Sequence, residues 1–211
     1  MAVELGLRER KKQQTRQLIA DAAWRLFLER GFDQVPVADV AREADVSEAT
    51  VYNYFPTKED LVYHRMQAFE EELLSALAGR PAGESIVEAF GRFALEPRGL
   101  LASSGEGAGE GLAAITRMIT QSPALLAREQ LIFERYTRSL AELIARERGM
   151  GAEDPEPWVA ANALLGLHRA LIDYVRRRVV AGDDRRLIAR GMRAHGKRAL
   201  ALLAHGLDQD R

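Results

Sequence analysis

The chain has no cysteine. Disulfides, cysteine-ligated zinc and thiol chemistry are excluded, and packing with polar contacts must hold the fold alone. The absence fits a reducing, cytoplasmic setting. No apolar run approaches ~18 residues, so no membrane span is expected. The start, MAVELGLRERKKQQ, has no apolar core behind its basic residues and does not read as a signal peptide. Strand-like alternation and internal repeats are missing too. The four histidines, His64, His168, His195 and His205, show no metal spacing. There is no Gly-rich phosphate loop following a strand and no nucleophile elbow. Neither enzyme activity nor a cofactor is expected. Glu70, Glu71 and Glu72 read as a solvated carboxylate run.

A dominant charge is also lacking. Thirty Lys and Arg stand against 31 Asp and Glu, for a net charge of −1 over 211 residues. Distribution says more than the total. Arg8, Arg10, Lys11, Lys12 and Arg16 cluster near the start, opposed only by Glu9. A second basic cluster runs from Arg176 to Arg198. Either one reads first as a solvated helix face.

What is present is helical period. Leu18, Ile19, Ala22, Ala23, Leu26 and Phe27 form a stripe at 3–4 spacing that Gly31 closes. Val37, Val40, Ala41 and Ala44 form a second, short stripe, with Pro36 at its start and Asp45 at its end. Asp tolerates a left-handed turn better than most non-glycines. Ser47 suits the N-cap of a third helix whose inward residues are Val51 and Phe55. Pro56 ends that helix by forcing Phe55 out of the α region. Thr57-Lys58-Glu59-Asp60 reads as a capping box opening a longer helix, with Leu61 to Ala78 uninterrupted until Gly79 and Pro81. Beyond it, helices are expected around Ile86–Phe93 and Leu112–Thr120, then from Pro123 to Gly149, Pro155 to Ala181 and Asp183 to His205. Glu96 to Gly111, rich in Gly and Ser, has the least ordered composition.

Two short helices joined by a tight turn make a helix-turn-helix, which can place its second helix in a DNA major groove. Ser47, Glu48, Ala49, Thr50 and Asn53 lie on the outer face of that helix, where base edges are met. Tyr52 and Tyr54 either pack or donate to phosphates and touch thymine methyls. Lys58 suits a phosphate clamp or a solvated position. Thr15 and Arg16, taken as the beginning of helix 1, are further phosphate candidates. Glu48 either accepts from a cytosine amino group or favours the helix N-terminus, the second being preferred.

The stretch GFDQVPVADVAREADVSEATVYNYFPTKEDL, Gly31 to Leu61, resembles the N-terminal domain of the tetracycline-repressor-like (TetR) transcriptional regulators. The resemblance rests on the Gly-Phe after helix 1, the Val-Ala-x-x-Ala-x-Val-Ser core, Tyr-x-Tyr-Phe, and Lys-Glu-x-Leu. It covers about residues 10–65. It implies an all-α fold of about nine helices: a three-helix helix-turn-helix DNA-binding domain at 1–56, and a helical effector-binding and dimerisation domain at 57–211. It further implies a homodimer on double-stranded, palindromic operator DNA, and a small-molecule effector. Val35-Pro36 stand where the family usually has a capping Thr or Ser, and Asp45 replaces the usual turn glycine.

In the C-terminal part, Phe90, Phe93, Met118, Phe133, Tyr136, Trp158 and Leu165 either line a pocket or form plain core, with Asn162 and His168 as polar orienting groups. Small residues Ala160, Ala161, Ala163 and Gly166, with Leu187, Ile188, Gly191, Ala194, Ala199, Leu202 and Leu203, let the last two helices approach closely; the family resemblance implies that this pair docks on its symmetry mate as the dimer interface, with intrachain packing as the alternative. A ligand that tilts the helix after Thr57 would disturb DNA spacing. A helical ligand-binding or assembly protein that has lost specific DNA binding is the alternative function.

Overall fold

The computed structural model describes residues 6–64, 66–103, 105, 107–151 and 153–205, without the side chains of 66, 67 and 205. Among the described residues it is all-helical. The helices are α1 (Leu7–Arg30), α2 (Val37–Glu43), α3 (Glu48–Tyr54), α4 (Asp60–Tyr63), α5 (Met66–Ala78) and α6 (Ile86–Ala94). They are followed by α7 (Gly99–Ala102), α8 (Ala108–Gln121), α9 (Pro123–Arg148), α10 (Pro155–Val180) and α11 (Arg185–His205). The chain divides into two compact units, residues 1–67 with 118–128, and residues 68–117 with 129–211. The first therefore runs past residue 56 and takes in a segment from much later in the chain.

In the first unit α1 packs on α2 and α4, and α2 packs on α3. Its core holds Ile19, Ala23, Phe27, Phe32, Val35, Val40, Val51, Phe55 and Leu61. α1 begins at Leu7, two turns earlier than expected, because Arg8 to Arg16 contains neither Gly nor Pro and consists mostly of good helix formers. Its inward stripe also differs. Leu18 is 61% exposed, and Ala20 is buried beside Ile19.

The α2–α3 turn is a Schellman closure. Val46 N–H reaches the Ala41 carbonyl at 2.9 Å and Asp45 N–H reaches that of Arg42 at 3.2 Å. It needs a left-handed residue, and Asp45 supplies it at φ 53°. At the entry to α2, Pro36 provides no side-chain cap. Of the expected helix from Leu61 to Ala78, the structure describes α4 and α5, with residue 65 between them outside the described residues. His64 Nδ1 lies 2.9 Å from the Leu61 carbonyl.

In the second unit α11 packs on α6, α7 and α10, and α10 also meets α6. Close approach depends on two glycines of α11. A Cβ on Gly191 would overlap the Tyr174 hydroxyl, and one on Gly196 would overlap Leu95. Ala161 and Ile188 are buried as well. Part of the small-residue pattern is thus intrachain packing. Gly166, in contrast, faces open space within the chain. Glu70 is not a solvated carboxylate: it accepts from Arg135 Nε at 2.8 Å and Ser139 Oγ at 2.7 Å.

Aromatic rings fill the interior of this unit. Phe69 lies 5.3 Å from Phe93, 5.7 Å from Tyr136 and 4.8 Å from the stacked ring of His168. Burial raises the Tyr136 pKa. It also draws His168 down to about 4, with Arg98 adding to the shift. His168 Nδ1 is sealed from solvent without a hydrogen-bond partner.

Two outcomes are expected. Gly196→Ala should lower stability by about 2 kcal/mol, because Leu95 must move away from an overpacked site; urea unfolding reads this directly. His168 is neutral in the fold below its unfolded pKa of 6.5, so the unfolded chain binds the extra proton and stability falls with pH through about 4. Between pH 7 and 5 the chain should lose about 2 kcal/mol more than its His168→Phe variant. Parallel pH dependence of the two would contradict the assignment.

Candidate nucleic-acid interface

α3 is seven residues long, and its two sides are chemically opposite. Val51 and the following Phe55 are each 1% exposed. Ser47, Glu48, Ala49, Tyr52 and Asn53 face solvent, with Thr50 and Tyr54 partly covered. The Ser47 hydroxyl accepts from Thr50 N–H at 3.1 Å, so the cap fixes the end of the helix that carries these groups. Ser47 and Thr50 hydroxyls also lie 2.8 Å apart. Tyr52 is not buried in the core: the residue is 48% exposed. Glu48 occupies the first turn, where its charge complements the helix dipole.

The candidates outside α3 take different places. Thr15 sits in the third turn of α1 rather than at its start, and its hydroxyl donates to the Lys11 carbonyl at 3.0 Å. The Arg16 guanidinium lies over the Phe55 ring at 5.1 Å. Lys58 Nζ lies 4.3 Å from the Phe32 ring centroid. Burial lowers the Lys58 pKa, while Asp33 and Glu59 work against that shift.

Residues that the sequence reading set aside complete this face. A cleft of about 830 Å³ lies between α1 and α3. Arg8, Glu9, Lys11, Lys12 and Thr15 form one wall, and Thr50, Asn53 and Tyr54 form the other. The spacing 8, 11, 12, 15 is that of one helix face. It was readable in the sequence, but only once the helix starts at Leu7. Cationic and hydroxyl groups beside an exposed polar helix match the chemistry of phosphate contact next to base contact.

Behind the face, Asp60 organises the turn that follows α3. Its Oδ2 accepts from Thr57 N–H at 3.1 Å and from the Thr57 hydroxyl at 2.9 Å. Asp60 N–H donates back to Thr57 Oγ1 at 3.3 Å, completing the expected capping box. Its Oδ1 accepts from Arg128 Nε at 3.0 Å and Nη2 at 2.7 Å. Tyr63 donates to the Leu125 carbonyl at 3.0 Å, and Ser122 to Asp33 at 3.2 Å. Arg128, Leu125 and Ser122 all come from the returning segment.

The candidate effector residues do not form one group. Phe90, Phe93, Phe133, Tyr136 and Leu165 are buried, and His168 joins the aromatic cluster. Trp158 and Asn162 face outward on α10, where Asn162 Nδ2 donates to the Trp158 carbonyl at 2.8 Å. Met118 belongs to the first unit. A separate surface groove of about 950 Å³ runs along α6 and α11, floored by Val87, Leu95 and Leu200 and edged by Arg193 and Lys197. Among the described residues, no group of His, Asp and Glu is arranged to hold a metal ion, and no helix is long and apolar enough to cross a membrane.

Comparison with known proteins agrees with this geometry. Residues 19–64 match the family profile described as bacterial regulatory proteins, tetR family, and residues 105–207 match that of the MftR C-terminal domain. The chain is 32% identical to the transcriptional regulator TcmR of Streptomyces glaucescens over 155 residues, 71% of this chain and 67% of that protein. It is 26% identical to the putative mycofactocin biosynthesis regulator MftR of Mycobacterium tuberculosis, covering 75% and 78% of the two chains. Among solved structures, the fold is like that of NalD of Pseudomonas aeruginosa, with TM-score 0.56 at 22% identity over 89% of this chain and 97% of that one. It is also like FadR of Bacillus halodurans, with TM-score 0.55 at 22% identity over 98% and 99%. With its helix-turn-helix matched to the family profile and two thirds of a regulator's length covered at this identity, the chain belongs to the tetR family of bacterial regulatory proteins.

Proposed function

We propose that this DNA-binding regulator is a homodimeric repressor. It sits on a palindromic operator and leaves it when a small molecule binds the second unit. The observation that carries the DNA-binding part is the two-sided α3. Its apolar side is sealed at Val51, and its capped outer side presents Ser47, Thr50, Tyr52 and Asn53 beside the Arg8, Lys11 and Lys12 wall. Asn53 is the side chain suited to bidentate contact with adenine, and the α1 cations suit phosphates.

The dimer reading is supported by apolar groups with no cover within the chain. On α10, Val159 is 67% exposed and Gly166 faces open space; on α11, Leu187 and Leu202 are about half exposed. Pairing these helices with a second copy would bury them and set two α3 helices over half-sites roughly 34 Å apart. The effector reading is supported by the family and by the buried aromatic cluster with its unpartnered His168 Nδ1. Release requires that the effector bind the DNA-incompetent state more tightly.

Selection from random duplex DNA should enrich an inverted repeat with half-sites one helical turn apart. On that duplex, Asn53→Ala should weaken binding about tenfold and relax one position of each half-site. Lys11→Ala with Lys12→Ala should weaken all sequences evenly and reduce the salt slope by about two per protomer. No enrichment over bulk DNA would rule out sequence-specific regulation.

A further inference from the structure

Arg128 stands in the second turn of α9, some seventy residues beyond the helix-turn-helix, and nothing in its local sequence marks it. Its guanidinium nevertheless ends on the carboxylate that shapes the turn after α3. Asp60 is one of three buried polar or charged side chains described, at 6% exposure. One of its oxygens is committed to Thr57 and the other to Arg128. The carboxylate therefore has two loads, and Arg128 neutralises it from behind. A buried carboxylate that loses such a partner must take up water or turn toward another donor, and either change releases Thr57. Lys58 lies inside this four-residue turn and Tyr54 just before it.

The next residue of the same helix is equally constrained. Glu129 accepts from Arg176 Nη1 at 2.8 Å and Nη2 at 2.5 Å, with side chains 13% and 15% exposed.

We propose that Arg128 is a positioning residue for DNA binding: through Asp60 it holds the Thr57–Asp60 turn in its DNA-competent shape. The proposal rests on the DNA-binding reading above. Arg128 itself touches no DNA.

The test uses the full chain and the duplex enriched by selection, with affinity measured by fluorescence anisotropy across a salt series. Wild-type binding comes first, because its absence would defeat the DNA-binding reading and leave this proposal without an object. Arg128→Met should weaken binding about tenfold, within the range for residues that act at a distance, and lower the salt slope by about one per protomer as Lys58 loses its place. Asp60→Asn with Arg128→Gln, a neutral pair that can still hydrogen-bond and leaves no buried charge unpaired, should recover much of the affinity and salt slope lost in Arg128→Met. Circular dichroism checks that each variant keeps its helices. Unchanged affinity and slope in Arg128→Met, or no recovery in the neutral pair, overturns the positioning role.

Discussion

A single carboxylate carries more of this structure's organisation than its size suggests. Asp60 closes the turn after α3 by capping Thr57, and it receives the guanidinium of Arg128 from the segment that returns to the first unit. Burial makes the arrangement demanding. An ionised carboxylate this far from water is stable only while its acceptor sites are occupied by donors. The compact unit that holds the helix-turn-helix also includes the 118–128 segment, which gives Ser122 to Asp33 and the Leu125 carbonyl to Tyr63. A DNA-binding unit assembled from two distant parts of the chain is open to influence through the second part.

The recognition surface follows from ordinary local rules applied in close succession. A left-handed Asp45 closes α2, a serine cap opens α3, and a proline closes it, all within twelve residues. Each device fixes one end of a seven-residue helix too short to be stable alone. Val51 and Phe55 then anchor the inward side in a shared core. The outer side takes no part in that core, so polar residues stand there.

Much of this was legible in the sequence. The caps, the breaks at Gly31, Pro56 and Gly79, and the long helices from Pro123 and Pro155 depend on local chemistry that a single chain displays. So does the set of outward-facing residues of α3, which follows from the placement of Val51. The start of α1 was less readable, because a charged run of helix formers looks the same whether solvated or built onto a unit. That hid the Arg8–Lys11–Lys12 face. Asp60–Arg128 and Glu129–Arg176 join positions 68 and 47 apart in sequence, and no periodicity announces such partners. Small residues in α10 and α11 suggested an interface, but only geometry separates Gly196, filled by its own chain, from Gly166, which faces outward.

The central claim is that the outer side of α3, with the α1 cations beside it, contacts DNA. Chemical-shift mapping tests it most directly: isotopically labelled protein is titrated with the selected duplex, and the perturbed backbone amides are assigned. The account predicts the largest changes at Ser47 to Tyr54, further changes at Arg8 to Thr15 and Thr57 to Lys58, and none at Val51 beyond those of its neighbours. Perturbations confined to α6, α10 or α11, with α3 unchanged at saturation, would contradict it.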